Sequence, residues 1–403
     1  MKYISIFLLI SIFVNQAFAQ SIACDCKTDL DFLDSKIKST PSYKRNKEAY
    51  AISLSTLSKK AIATTSIYDC YVLLNALILS INDNHSRVFG IDKGVLDETR
   101  NDSLKFLAFK KSDFFNLYPK PRINLDSLTT ILKTKELSDT EGIYTLKNHL
   151  TIGVFKNNND HQFKAVVLDS ETDVWLKGEI IYTFIPFGKN HLLGVGGGLS
   201  TKRLITFTER IDQGIFWNRG FAKNGKTINY ATQLPTDKTY FRNELTPEIT
   251  YLRIGSFSGF YPTLLDAEKF YASLEGTLTK QHLILDLRSN GGGGVRNSDL
   301  LFKILKEYSK KNKIYILINF LTASNAEQFA FNLNEIPNCM LLGQPSNGTI
   351  SYELAGVNYE LPSGNFRVVL TSKSHSKYLN LESAGIEPDI KFDLESDWID
   401  QIV

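Results

Sequence analysis

Residues 313–330, KIYILINFLTASNAEQFA, join a β-rich apolar run directly to a helical pattern. The run up to Leu321 is typical of a buried strand, and apolar residues at helical spacing follow Ser324. Strands and helices alternate in this way from residue 236 to the end, which predicts βαβ units around a largely parallel sheet. Active sites form in the loops after such strands. Ser324 lies in one of these loops, where it is either a helix cap or a nucleophile.

A glycine-rich loop follows another strand of the same region. The stretch LILDLRSNGGGG, residues 283–294, ends in four consecutive glycines. Glycines permit a sharp turn and expose backbone N–H groups, which suits a developing oxyanion. Taken alone, the glycines favour the simpler interpretation of a flexible loop. Because both loops follow strands of one sheet, we expect them to meet at the same edge.

The rest of the chain divides into three parts by its residue pattern. Residues 1–19 combine Lys2, a short apolar run and a small-residue site, as a cleaved secretory signal does. Apolar residues at three- and four-residue spacing predict a helical region over 20–136. Short aromatic and β-branched segments over 137–235 predict an antiparallel β-barrel or meander. Residues 236–403 are the α/β part.

Composition and cysteines limit the classes of function. A net charge of +3 without a dense basic tract argues against nucleic acid as a partner. The sequence has no C-x-x-C or H-E-x-x-H motif, so it gives little support for a metal site. We expect no cofactor. We expect an exported protein, periplasmic or extracellular, without stable membrane insertion after signal cleavage; lipid anchoring at Cys24 is the less favoured alternative. Export permits disulfides, so Cys24 or Cys26 is expected to pair with Cys70.

Five sequence blocks occur in the order that is typical of peptidase family S41. They are YLRIGSF, LILDLRSNGGGG, LTASNAEQFA, GQPSNG and AGIEPDI. Over residues 236–403 the chain thus resembles the tail-specific or C-terminal processing proteases and their tricorn-like relatives. The resemblance implies a crotonase-like or ClpP-like α/β core, a peptide or protein substrate and Ser324 as nucleophile. It also implies oxyanion donors from the backbone N–H groups of Gly292 and Asn325.

The general base distinguishes two branches of this family. One branch uses a lysine from a block that corresponds here to GQPSNGT, where Thr349 occupies the lysine position. The tricorn-like branch uses an upstream histidine and a glutamate near the C-terminus, and INDNHSRVF and LESAGIEPDI resemble its two blocks. The resemblance therefore implies His85 as base and Glu382 as its acidic partner. Asn84 and Ser86 are alternatives for a fourth, relay residue.

These features favour an exported serine endopeptidase that hydrolyses peptide bonds through an acyl-enzyme at Ser324, with His85 as general base. The alternative is a catalytically inactive relative that keeps the S41 fold and binds peptides or other ligands. The substrate preference, the role of the β region and the oligomeric state stay open at this point.

Overall fold

The computed structural model describes residues 24–403, except 92–93, 95–96, 158–159, 225 and 227–229. The predicted signal peptide at residues 1–19 therefore lies outside the described part of the chain. Within that part, none of the helices combines the length and the apolar character needed to cross a bilayer.

The N-terminal part is mainly helical and has a buried central helix. Its helices are α1 (Cys26–Ile37), α2 (Pro41–Arg45), α3 (Lys47–Ala63), α4 (Ile67–Leu79), α5 (Asp97–Arg100), α6 (Ser103–Lys110) and α7 (Leu125–Leu132), with strand β1 (Arg87–Gly90) after α4. Ten of the 13 residues of α4 are buried, which explains why this helix is apolar on nearly every side. A disulfide between Cys26 and Cys70 links α1 to α4. Of the two predicted partners for Cys70, Cys26 therefore forms the bond and Cys24 does not.

The middle part is an antiparallel sheet of six strands in chain order. They are β2 (Gly142–Leu146), β3 (Leu150–Lys156), β4 (Phe163–Ser170), β5 (Ile180–Phe187), β6 (His191–Gly197) and β7 (Leu204–Glu209). A two-stranded ribbon follows, formed by β8 (Ile211–Asp212) and β9 (Ile215–Phe216). Each long strand pairs with the next one along the chain, which is a meander. Among the described residues no pairing of β2 with β7 closes this sheet into a barrel.

The C-terminal part is built on a largely parallel sheet. Its elements are β10 (Tyr240–Glu244), β11 (Ile249–Ile254), α8 (Thr263–Leu274), β12 (His282–Asp286), α9 (Val295–Tyr308), β13 (Lys313–Ile318), α10 (Asn325–Asn334), β14 (Cys339–Gly343), β15 (Tyr352–Glu360), β16 (Phe366–Ser374), a 3₁₀ helix (Ser376–Leu381) and β17 (Ile390–Lys391). The sheet order is β10-β11-β12-β13-β14-β17, and only the edge strand β10 is antiparallel to its neighbour. Helices α8, α9 and α10 connect successive parallel strands, as the alternating sequence pattern predicts.

A third sheet joins the two ends of the chain. Strands β15 and β16 form a hairpin, and β16 also pairs with β1 of the N-terminal part, with Arg87 opposite Val369. Phe366, Val368 and Leu370 of β16 are buried in the same apolar core as α4 and the meander. This pairing holds the turn before β1 against the C-terminal part of the chain.

Candidate active site

Ser324 lies on a sharp turn between β13 and α10. Its backbone has φ +58° and ψ −127°, a conformation that is unusual for a residue other than glycine. The N–H of Ser324 donates to Thr349 O at 2.8 Å and to the Glu327 carboxylate at 2.9 Å. These two acceptors hold the strained turn in place, and such strand-turn-helix junctions expose a nucleophilic side chain.

His85 contacts Ser324 directly, although 239 residues separate them in the chain. The distance from His85 Nε2 to Ser324 Oγ is 2.9 Å. The histidine lies in the turn between α4 and β1, and Asp83 Oδ1 accepts hydrogen bonds from the backbone N–H groups of His85 and Ser86 at 3.0 and 3.1 Å. Thr371 of β16 donates its hydroxyl to the other oxygen of Asp83. The turn is therefore fixed both internally and to β16.

The environment of His85 favours the neutral imidazole. Burial lowers the pKa of His85 to about 4, and the Asp83 carboxylate only partly opposes this effect. The Nδ1 atom is buried and makes no hydrogen bond within the described chain. One ring nitrogen of His85 and one carboxylate oxygen each of Asp83 and Glu382 lie within 4.8 Å of one another. Two carboxyl groups are thus close enough to stabilise an imidazolium when it forms.

Glu382 joins the histidine turn to the loop that follows β14. One of its carboxylate oxygens accepts from Asn84 N at 2.8 Å, and the other accepts from Ile350 N and Ser351 N at 3.1 and 2.8 Å. Burial raises the pKa of Glu382 to about 7, whereas these backbone donors favour its ionised form. No hydrogen bond links Glu382 to the His85 ring among the described residues, so the two groups are near neighbours without a direct contact.

The two alternatives for a relay residue both have other partners. The side-chain amide of Asn84 donates to Gly348 O at 2.7 Å and to Ser383 Oγ at 3.2 Å. The hydroxyl of Ser86 donates to Asp83 at 2.8 Å. Both side chains therefore stabilise the histidine turn, and neither is hydrogen-bonded to the imidazole.

Glu327 is a buried carboxylate whose contacts the sequence pattern did not predict. It accepts hydrogen bonds from Ser324 N (2.9 Å), Ser346 Oγ (2.6 Å), Gly348 N (2.7 Å) and Thr349 N (3.0 Å). Burial raises the pKa of Glu327 to about 7. A glutamate three residues after a serine N-cap indicates only a local capping contact, and only the first of these bonds is local. The other three connect the helix that begins after Ser324 to the loop after β14.

The glycine loop meets the Ser324 turn, as their shared sheet edge predicts. Gly292 has φ +94°, and a Cβ atom there would lie only 2.8 Å from Ser324 Cβ, so glycine is required. The N–H of Gly292, however, donates to the side-chain oxygen of Asn290 at 2.9 Å. The predicted oxyanion donor at Gly292 is therefore already hydrogen-bonded. The N–H groups of Gly293 and Asn325 make no hydrogen bond to any described residue, and Asn325 begins α10, where N–H groups lack helical partners.

Asp286, the last residue of β12, and Arg288, two residues further, form a buried ion pair next to the start of the glycine loop in the chain. The shortest distance between their charged atoms is 2.6 Å. Arg288 also donates to the backbone oxygens of Tyr230 and Gln233 at 2.9 and 3.1 Å. This pair therefore anchors the segment that connects the meander to the parallel sheet.

In the part of the chain that the structure describes, two groups of side chains have ligand atoms close enough together to hold a metal ion. The first is Cys24 with Cys26 and Cys70, two of which form the disulfide and are not available as thiolates. The second is Asp83, His85 and Glu382, whose carboxylates already accept hydrogen bonds from backbone N–H groups.

Comparison with known proteins bears directly on the C-terminal part. Residues 296–392 match the model of peptidase family S41. The resemblance to family S41 is confirmed. The matched segment contains Ser324 and Glu382 and leaves out the glycine loop and His85. The match supports a peptidase, which is a hydrolase that acts on peptides or proteins.

Solved structures of proteases are similar to the chain at low identity. Mature CPAF is 13% identical, with 91% of this chain and 92% of that chain covered and a TM-score of 0.43. The photosystem II D1 C-terminal processing protease is 12% identical, with 92% and 94% covered and a TM-score of 0.36. The tricorn protease is 14% identical, with 91% of this chain and 34% of that chain covered and a TM-score of 0.36. A search of the curated proteins finds no match.

Proposed function

We propose that this chain is an exported serine endopeptidase that hydrolyses peptide bonds through an acyl-enzyme at Ser324. The observation that supports this proposal best is the 2.9 Å contact between Ser324 Oγ and His85 Nε2. A general base must lie within hydrogen-bond reach of the proton that it removes, and His85 meets this condition. Thr349, at the position of a dyad lysine, offers no base, which favours the histidine of the tricorn-like branch.

The reaction has two halves that use the same groups. In the first, Ser324 Oγ attacks the carbonyl carbon of the scissile bond while His85 Nε2 takes the hydroxyl proton. The imidazolium then gives this proton to the leaving amine as the C–N bond breaks, and the acyl-enzyme remains. In the second, His85 takes a proton from water, the resulting hydroxide equivalent attacks the ester, and Ser324 recovers its proton.

Two further groups stabilise the charges that develop. Glu382, close to the ring of His85, favours the imidazolium that forms during attack. The free N–H groups of Asn325 and Gly293 serve as donors to the oxyanion, and Gly293 takes the place that the resemblance gives to Gly292. In this arrangement Gly292 supplies the close approach of the two loops, which a side chain would prevent.

The organisation of the chain follows from these roles. Residues 1–19 direct export, residues 20–136 supply His85, residues 137–235 form the β domain, and residues 236–403 supply the nucleophile and the acidic partner. The base and the nucleophile thus belong to different domains, so the site is complete only when the whole chain is folded.

A fluorophosphonate probe tests the nucleophile. The wild-type protein is expected to label covalently, and Ser324→Ala is expected to abolish labelling. Ser289→Ala is a matched control, because Ser289 also has a positive φ of 58° and also follows a strand of the sheet. His85→Ala should slow peptide cleavage by several orders of magnitude, as loss of a triad residue does.

The outcome of this test separates the proposal from its alternative. Labelling that persists in Ser324→Ala would show that another residue is the nucleophile. A folded wild-type protein that neither labels nor cleaves peptides would instead be an inactive S41-fold protein that binds peptides or other ligands. Cleavage near the wild-type rate in His85→Ala would exclude His85 as the base.

A further inference from the structure

Large apolar side chains are exposed beside the glycine loop. Phe260 and Tyr261, in the loop after β11, are 82% and 66% exposed, and Val295, the first residue of α9, is 54% exposed. Leu265, in the first turn of α8, is 40% exposed. We call these four residues, two aromatic and two aliphatic, the aromatic rim. Single exposed apolar residues are common in proteins, but neighbouring ones at the edge of a site indicate a binding surface.

The backbone that presents the aromatic rim is fixed to the glycine loop. Phe257 N donates to Gly292 O at 3.0 Å, and Gly294 N donates to Phe257 O at 2.8 Å. The side-chain amide of Asn297 donates to Ser258 O at 2.9 Å, which holds the same loop to α9. Phe257 also packs on Phe329 of α10, with 4.9 Å between the ring centroids. The exposed aromatic residues therefore extend from an ordered backbone.

The loop that carries Phe260 packs against the glycine loop, which in turn packs against the Ser324 turn. Gly259 lies against Gly294, since a Cβ atom on Gly259 would be 3.7 Å from Gly294 Cα, and Phe260 is the next residue. On the other side of the glycine loop, the Cβ position of Gly292 lies 2.8 Å from Ser324 Cβ. A polypeptide whose scissile carbonyl lies at Ser324 would therefore run close to the rim.

We propose that the aromatic rim binds a large apolar side chain of the substrate polypeptide, close to the scissile bond. This inference rests on the proposed function and names the substrate class of that site: polypeptides with an aromatic or large aliphatic residue close to the scissile bond. Burial of one such side chain against aromatic residues strengthens binding, and at the rim this contact forms close to the scissile bond. Phe260 and Tyr261 are specificity-determining residues in this arrangement.

Paired peptide substrates that differ at a single position, Phe or Ser, test the inference. The wild-type protein is expected to cleave the Phe peptide with a kcat/KM at least about tenfold higher than that of the Ser peptide. Phe260→Ser and Tyr261→Ser should each reduce this ratio, while covalent labelling of Ser324 by the fluorophosphonate should still occur. Ile52→Ser is the matched control, because Ile52 is 72% exposed on α3 in the N-terminal part.

The outcomes distinguish a failure of the proposed function from a failure of the inference about the rim. Absence of labelling in the folded wild-type protein overturns both the proposed function and the inference about the rim. Labelling and cleavage without a preference for Phe, or with a preference that the rim variants keep, overturns the inference alone. A rim variant that changes the oligomeric state and keeps the preference would instead show that a second copy of the chain covers the rim. Val295→Ser provides a second test if one aromatic variant does not fold.

Discussion

The pH dependence of Ser324 reactivity is expected to differ from that of an ordinary serine–histidine pair. The base must be neutral to accept a proton, and burial lowers the pKa of His85 from 6.5 to about 4. A histidine with a lowered pKa stays neutral, and thus competent as a base, at pH values where an unperturbed histidine is protonated. Labelling of the protein should therefore persist in mildly acidic solution.

The expected difference is large enough to measure. At about pH 5.5, an imidazole with the pKa of His85 is about 97% neutral, whereas one with the unperturbed pKa is about 9% neutral. If the labelling rate follows the neutral fraction, the rate at about pH 5.5 should nearly equal the rate at about pH 7.5. An unperturbed base would lose about tenfold over the same interval.

The assay is the second-order rate of fluorophosphonate labelling between about pH 4 and pH 8, with unfolding monitored in parallel. Glu382 has a pKa raised to about 7 and could add a decrease of its own, so Glu382→Gln is measured as the control. A decrease in labelling rate that occurs as the pH falls through about 7, and that disappears in Glu382→Gln, belongs to the Glu382 carboxyl group. Glu327, which accepts a hydrogen bond from Ser324 N, also has a pKa raised to about 7, so Glu327→Gln is measured as a second control. A decrease in rate near pH 6.5 that persists in both variants would refute the claim that burial keeps His85 neutral.

Three further predictions concern the interactions that support the site. Glu327→Ala should slow labelling and lower the free energy of unfolding by about 1–3 kcal/mol for each backbone N–H that loses its acceptor. A Glu327→Ala variant with wild-type stability and labelling rate would exclude a positioning role for Glu327. Glu335→Ala, at the exposed C-terminal end of α10, is the control. Replacing both Cys26 and Cys70 by serine removes a cross-link with a sequence separation of 44 residues, which should cost about 4 kcal/mol in urea unfolding under oxidising conditions. An unchanged urea midpoint would contradict this estimate. Arg288→Ala removes the closer of two guanidinium groups that contact the buried Asp286 carboxylate, since Arg253 lies 3.7 Å from it, and should cost about 1–3 kcal/mol. Stability within about 0.5 kcal/mol of the wild type would show that this ion pair does not anchor the connecting segment.

Local patterns were reliable where neighbouring residues decide the structure. The turn at Ser324 lies between β13 and α10, and the strands and helices of the C-terminal part alternate as predicted. The Cys26–Cys70 disulfide is one of the two pairings that helical proximity favoured. The turn and the alternation depend on residue spacing and backbone conformation, which are properties of short segments, whereas the disulfide joins two helices across 44 residues and its choice of Cys26 over Cys24 was left open by the sequence.

No residue pattern in the sequence predicted several contacts between segments that are distant in the chain. The pairing of β1 with β16 and the three long-range hydrogen bonds of Glu327 join residues that share no periodic pattern. The bond from Gly292 N to Asn290 has a different cause, since side-chain rotamers in a glycine turn are not encoded by residue type. For this reason the sequence predicted that the glycine loop meets the Ser324 turn and did not predict the hydrogen bond that occupies the Gly292 N–H.

The sequence by itself determined which groups are available: a serine at a strand-to-helix junction, a glycine loop at the same sheet edge, a threonine in place of a lysine, and a histidine block far upstream. Only the tertiary structure decided that His85 reaches Ser324, because the pairing of β1 with β16 holds the histidine turn against the loop after β14. It also decided that burial keeps the imidazole neutral, since the pKa of a side chain depends on the whole surrounding fold and not on its sequence neighbours.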